Sequence, residues 1–535
     1  MNDISFQRKE ILKKVKDKTI SKECAVAELE KLNSLSCIDD KPLSADDKKA
    51  EITLPVKKND GVIEKIAVIG MSCRYADADT VGEFWDNLCE GRNSVKRIER
   101  WGKDKNYCGS VIGDIDSFDH NFFGFSHKEA CLTDNQQRIF LEEAYHALED
   151  AGYSDTMLSE TDCGVFLGCR RGDYFNLIDE NVEDQEDISI FSGNDEAILP
   201  GRISYFLNMN GPSVSVNTTC TSALTAIHLA AESLTLNECE MALAGGILVM
   251  NTESLISSLT GVGMSAGEGK CCPFDEDAKG SFFGDGVGLV VLKKLDKAIE
   301  DNDRIYAVIS ASGINYDGRT NGLTAPSVNA QKRLQRQVYN RYNVDPSDIS
   351  YVEAHGSGTV MGDALEVQGL TSVFMDHTEK RQYCSIGSVK GNIGNTINSA
   401  GAASFIKTVM CLKNKELVPS INCNNVNKLI ELEKTPFVIS KEHRDWNVPD
   451  GKKRIAAINA YAYSGSNVHM VLEEREPQYK AAANEAKENV FVFSAKSKEA
   501  LKNYLEAFCI FLEESKQVLL DDISYTLAVR RSHYK

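Results

Sequence analysis

Apolar positions along the chain change their spacing at a few places, and those changes divide it. In residues 1–33, Phe6, Ile11, Leu12 and Val15, then Ala25, Val26, Leu29 and Leu32, recur at helical spacing. They predict two short amphipathic helices, the second with Ser21 available as a cap. Alone, such helices bury little, so they need another chain or the main domain as a partner. Residues 34–62 are polar and aperiodic and read as a linker. From Lys65 onward, short β-rich runs alternate with helical stretches: KIAVIGMSC, CGVFLGC, MALAGGILVM, VGLVVLKKL, YAVISASGI, ISYVEAH, YCSIGSV, RIAAINAYAY and HMVLEE. This texture predicts one α/β domain over residues 63–474 with largely buried strands. Residues 475–535 begin with a second linker, PQYKAAANEAKEN. NVFVFSAKSKEALKNYLEAFCIFLEESK then predicts a strand and an amphipathic helix with Ser497 as its cap.

Composition narrows the functional classes. The 535 residues exceed one ordinary core, and 42% hydrophobic with 26% charged residues is a globular composition. A formal charge of −19 argues against a nucleic-acid surface, which needs a basic face. The first residues lack the apolar segment of a signal peptide, and no run of 18 apolar residues occurs. Together with sixteen scattered cysteines, this points to reduced thiols in the cytoplasm. Cys163 with Cys169, and Cys271 with Cys272, lack the spacing of a structural zinc site, so no metal is expected.

Two motifs carry candidate chemistry. SVNTTCTSALTAIHLAAESL sets Cys220 after a β-type run at the opening of a helix, where the helix N-terminus favours thiolate. Cysteine in an apolar stretch is also a common buried structural residue, so the motif alone leaves both readings open. His228 on the same helix reads as a packed core histidine. In YVEAHGSGTVMGD, His355 ends a strand and enters a loop of small residues with hydroxyls at Ser357 and Thr359. Its glycines allow a ligand to approach the backbone, although a turn with an exposed histidine gives the same pattern. GDGVG at Gly284 lacks the third glycine of a dinucleotide fingerprint, and GSVKGNIGNT lacks the GK[ST] order of a phosphate loop.

Taken together, these motifs resemble the ketosynthase (β-ketoacyl synthase) family, specifically ketosynthase domains of modular polyketide synthases. The resemblance runs from about Lys65 to Glu474 through IAVIGMSCRYADADTVGEFWDNLCEG, TDNQQRIFLEEAYHALEDAG, VNTTCTSALTAIHLA, VEAHGSGTVMGDALEV and YSGSNVHMVLEE. It implies the thiolase fold, two similar α/β halves in a five-layered αβαβα domain that dimerises. It implies that Cys220 takes an acyl chain as a thioester, with His355 and Lys390 as the family's histidine and lysine. The backbone amides of Cys220 and Tyr463 would form an oxyanion hole, and Ser357 and Thr359 would contact phosphopantetheine. No cofactor is bound by such a domain; its substrates ride on the phosphopantetheine of acyl carrier proteins. The implied partners are those carriers, a second copy of the chain, an upstream synthase subunit through the N-terminal helices, and downstream domains of the same multienzyme. The tail from Val490 resembles the linker domain that follows a ketosynthase, so the chain reads as a fragment starting at the beginning of a subunit.

One position departs from the family pattern. Elongating members have a second histidine in GNxGH, whereas this chain reads GNIGN with Asn395. Asparagine can donate a neutral hydrogen bond but cannot become a cation. Asn398 and Ser399 replace small apolar residues, Tyr461 and Tyr463 replace phenylalanines, and Ala462 and Ser464 replace glycines. The expectation is a non-elongating ketosynthase that passes the chain to the next carrier. The alternatives are a condensing or branching enzyme with a Cys, His, Asn set, as in related condensing enzymes, and a non-catalytic dimeric scaffold.

Overall fold

The computed structural model describes residues 64–181, 187–265, 269–476, 488–515 and 518–534. The expected N-terminal helices and the linker at 34–62 therefore lie outside the described residues. Eleven strands form the main sheet: β1 Ile66–Arg74, β2 Cys163–Gly168, β3 Ser213–Val216, β4 Met241–Leu248, β5 Gly286–Lys294, β6 Ala307–Tyr316, β7 Tyr351–Glu353, β8 Cys384–Gly387, β9 Phe437–Ile439, β10 Ile455–Tyr461 and β11 Ser466–Glu473. The helices that position the site and its surroundings are α1 Val81–Cys89, α2 Asn135–Asp150, α3 Leu199–Leu207, α4 Ser222–Thr235, α5 Val328–Tyr342, α6 Val360–Phe374, α7 Ala400–Asn414, α8 Lys498–Glu514 and α9 Leu520–Val529.

The spatial order, β9-β8-β7-β10-β11-β6-β1-β5-β4-β2-β3, contains the same arrangement twice. In one half β1 pairs antiparallel with β5, β5 antiparallel with β4, and β4 and β3 each pair parallel with β2. In the other, β6 pairs antiparallel with β11, β11 antiparallel with β10, and β10 and β8 each pair parallel with β7. β9 adds one parallel strand beyond β8, and the halves join where Ile66, Ala67 and Val68 of β1 meet β6.

Side-chain alternation along these strands divides the interior into three cores. Ala242 and Ala244 of β4, Val290 and Leu292 of β5, and Ile458, Val468 and Met470 of β10 and β11 face a central core with α4 and α7. The intervening Leu243, Ile247, Leu289 and Val291 face an outer core with α2 and α3. Ala457 and Val471 face a third core with α5 and α6. Helix, sheet, helix, sheet, helix is the five-layered thiolase fold. Because α4 and α7 lie between two half-sheets, they are buried nearly all round, which matches their apolar sequences. They also approach closely: a Cβ on Gly401 would come within 3.0 Å of the Leu224 nitrogen.

In the C-terminal appendage Ser497 caps α8 by accepting from the Ala500 N–H at 3.1 Å. The expected strand in NVFVF is absent among the described residues. Val490 is 68% exposed, and Phe491 and Phe493 pack instead against Phe508 of α8. The tail is fastened to α2 and its C-terminal end, with Tyr534 hydrogen-bonded to Tyr145 at 2.7 Å and Arg531 donating to the Glu149 carbonyl at 3.1 Å.

Candidate active site

The twofold repeat of the sheet extends to the segments that enter the central helices. Asn217-Thr-Thr-Cys-Thr-Ser222 precedes α4, and Asn395-Thr-Ile-Asn-Ser-Ala400 precedes α7, in the same register. Each contains a 3₁₀ turn, Thr219–Thr221 and Ile397–Ser399. The residue after the first threonine has positive φ in both, +59° at Thr219 and +45° at Ile397. Each opens on an asparagine whose Oδ1 accepts an N–H two residues on, Asn217 from Thr219 at 3.3 Å and Asn395 from Ile397 at 3.1 Å. A β-branched residue in this region is strained, and the asparagine bond holds it there. The register sets Asn398 opposite Cys220.

These two turns pack together, and Cys220 from the first and Asn395 just before the second reach a cavity of about 520 Å³. Cys220, His355, Asn395, Ser357, Thr359 and Tyr463 all line it. Asn395 donates Nδ2–H to the Cys220 sulfur at 3.5 Å. The expected low thiol pKa is corrected: burial pushes Cys220 up, against the downward pull of the Asn395 amide and the Lys390 charge. The resting group is a thiol held beside two features that stabilise its anion.

His355 lines the cavity half-buried, and its pKa lies well below the usual imidazole value because of desolvation in the site and the Lys390 ammonium. Its Nδ1 accepts the Tyr461 N–H at 3.3 Å, which leaves the proton of the neutral ring on Nε2. Lys390 lies just beneath, donating Nζ–H to the His355 carbonyl at 2.6 Å. Thr359 and Ser357 share a hydroxyl hydrogen bond at 2.9 Å, and Ser357 also donates to Asp363 at 3.2 Å. His228 sits away from the cavity in the central core, bonded to Ser312 at 2.8 Å.

Two positions were not singled out from sequence. Glu366 accepts the backbone N–H groups of His355 and Gly356, both at 2.8 Å, and burial pushes its carboxyl up to about 7. It fixes the loop that carries the histidine. Asn217 is the counterpart of Asn395 and receives, with Ser222, the amide of Asn398 at 3.2 and 2.9 Å. The repeated NT dipeptide before each helix was the available signal for Asn217.

The "Beta-ketoacyl synthase, N-terminal domain" model matches residues 63–298, the C-terminal domain model 306–424 and the ketoacyl-synthetase C-terminal extension 427–535. The chain belongs to the β-ketoacyl synthase family, as a polyketide synthase ketosynthase domain. This ketosynthase is 41% identical over 496 residues to polyketide synthase PksL of Bacillus subtilis strain 168, covering 90% of this chain and 11% of that protein. It is 36% identical to polyketide synthase ThaG of Burkholderia thailandensis, covering 88% of this chain and 8% of that protein. It therefore spans about a tenth of the length of these relatives. The ketosynthase from module 6 of the bacillaene synthase of Bacillus subtilis 168 superposes with a TM-score of 0.80 at 41% identity, covering 88% of this chain and 80% of that one. The oxazolomycin ketosynthase domain OzmH KS7 of Streptomyces albus JA3453 gives 0.83 at 33% identity, covering 87% and 84%.

Proposed function

We propose that this ketosynthase accepts an acyl chain from an acyl carrier protein onto Cys220 and passes it to the next carrier without adding carbons. The Cys220 thiolate attacks the carrier thioester carbonyl, with the oxyanion received by the backbone N–H groups of Cys220 and Tyr463. Collapse expels the phosphopantetheine sulfur, which leaves with the proton that Cys220 gave up. Transfer to the next carrier is the same reaction reversed. Ser357 and Thr359 would hold the phosphopantetheine arm, Lys390 would hold His355 and favour the thiolate, and no bound cofactor is required.

The observation that carries this reading is the aim of Asn395. Decarboxylating a malonyl thioester builds negative charge on its carbonyl oxygen, and His355 Nε2–H supplies one donor for it. The Asn395 amide nitrogen lies one bond closer to its backbone than an imidazole Nε2 would, and it is directed at the sulfur. Its orientation is locked by Ile397 N–H on the other end of the amide. Loss of one oxyanion donor costs about 2.7–4 kcal/mol, roughly 100- to 1,000-fold in rate. Acylation does not need that donor, and extension does.

A condensing or branching Cys, His, Asn mechanism is the second reading, favoured by the same contact, since Asn395 still presents an N–H at the reacting centre. A non-catalytic scaffold would have no use for a donor on the sulfur. Assembly as a homodimer fits the open edge of β3, where Val214 is 39% exposed and the strand has no further neighbour among the described residues. The test is intact-mass analysis of the chain mixed with an acyl-loaded carrier and then an empty one. The acyl mass should move onto a Cys220 peptide and then onto the second carrier. Absence of any acyl-protein would overturn the proposal.

A further inference from the structure

A second group of reactive side chains lies apart from the catalytic cavity, where α1 meets a small ribbon. Glu416–Leu417 pairs antiparallel with Arg444–Asp445, with Glu416 opposite Asp445, and His443, just before the second strand, reaches back to the Glu416 carboxylate with its side chain. α1 buries Phe84 and Leu88 in the central core, which leaves its last residue, Cys89, half-buried against that ribbon. One ligand atom from each of Cys89, Glu416 and His443 lies within 4.8 Å of the other two, and His443 Nε2 is 3.0 Å from Glu416 Oε2. Trp85, four residues before Cys89, sets its ring edge-on to His443 at 6.4 Å and limits the imidazole's rotation.

We propose that Cys89, Glu416 and His443 form a zinc-binding clasp between α1 and the ribbon. A sulfur, an imidazole nitrogen and a carboxylate oxygen are the ligand types of Zn²⁺, whereas Mg²⁺ and Ca²⁺ take oxygen ligands. Three protein ligands leave the fourth tetrahedral position to water. Three basic residues close in sequence to the ligands have other partners: Arg92 pairs with Glu90 at 3.3 Å, Lys415 with Glu476 at 2.8 Å, and Arg444 donates to Ser385 at 2.7 Å. Binding releases the Cys89 proton to solvent and exchanges the His443–Glu416 hydrogen bond for two bonds to the metal. The neutral imidazole's proton then resides on Nδ1. The spacing of the three residues in sequence gives no sign of this site, because they come from three distant segments.

The test uses the full chain in a Cys220→Ala background, so that the active-site thiol cannot supply the ligand. After metal is stripped, zinc binding is measured by competition with a chromophoric chelator, and cobalt is added separately as a spectroscopic probe. One equivalent of zinc should bind, and cobalt should give a near-ultraviolet thiolate-to-metal band. Cys89→Ser should abolish that band, and His443→Ala should weaken zinc binding by about tenfold or more, by the scale of metal-site substitutions. His443 is exposed, so its variant keeps the test decisive if Cys89→Ser fails to fold. Absence of stoichiometric uptake at micromolar zinc, a cobalt band that survives Cys89→Ser, or unchanged affinity in His443→Ala would each overturn the proposal.

Discussion

Replacing Asn395 with alanine removes the side-chain donor on the Cys220 sulfur and leaves the other influences on the thiol in place. The bond is 3.5 Å long, a normal reach for sulfur, and it lowers the Cys220 pKa while burial raises it. Hydrogen bonds to charged groups contribute about 1.5–3 kcal/mol, and the low end suits a neutral amide meeting a diffuse sulfur anion. At 1.36 kcal/mol per pKa unit, about 1.5 kcal/mol raises the midpoint by roughly one unit. Below the midpoint, the thiolate fraction and the alkylation rate should fall about tenfold. The same substitution strips the Ile397 N–H of its acceptor, at a cost of about 1–3 kcal/mol in a buried turn. Asn395→Asp separates the two effects: it keeps an oxygen for Ile397 and sets a negative charge beside the sulfur, so its midpoint should rise further. The assay is iodoacetamide alkylation from about pH 6 to pH 10.5, read on the Cys220 peptide because fifteen other cysteines are present. Midpoints for both variants within about 0.3 units of the parent, well inside the one-unit shift expected, would refute the role given to this contact.

Cys220→Ala should lose all acyl loading and keep the parent's thermal midpoint, checked by intact mass and calorimetry; an acyl thioester on another cysteine would reassign the nucleophile. Asn398→Ala removes two hydrogen bonds, but Ser222 still bonds Thr218 and Thr219, Asn217 still bonds Thr219, and the lost Oδ1 was buried without a partner. Its stability should therefore change by less than about 1 kcal/mol while Cys220 acylation slows, as measured by thermal unfolding and loading rate. Val214→Lys charges the open edge of β3 and should shift the chain from dimer to monomer in light scattering; a parent already monomeric at micromolar concentration would contradict the dimer.

Much of the fold was legible because most strands lie between two helical layers and are apolar on both faces. Runs such as MALAGGILVM and VGLVVLKKL show that directly. Phe437–Ile439 escaped because three residues carry no period. NVFVF misled for the opposite reason: its alternation is that of a strand, but in the described chain its aromatic rings pack on α8 and no strand lies beside it. Cys220, His355 and Asn395 could be named from local motifs. What the motifs could not give was the balance at the sulfur, because burial depends on the whole cavity and outweighs the amide and the lysine. Glu366 was hidden for a related reason, since a helical glutamate shows its grip on His355 only once α6 lies against the loop.

Whether this active site acylates without extending, as proposed, is decided by its chemistry with malonyl carrier protein. The chain, preloaded with an acyl group on Cys220, is mixed with malonyl carrier protein, and released carbon dioxide and carrier-bound products are measured alongside the Asn395→His variant. Acyl transfer with little or no decarboxylation is expected of the parent, and a gain in decarboxylation when histidine restores the second donor. Efficient formation of the extended β-keto product by the unmodified chain would contradict it and assign the site a Cys, His, Asn condensing mechanism.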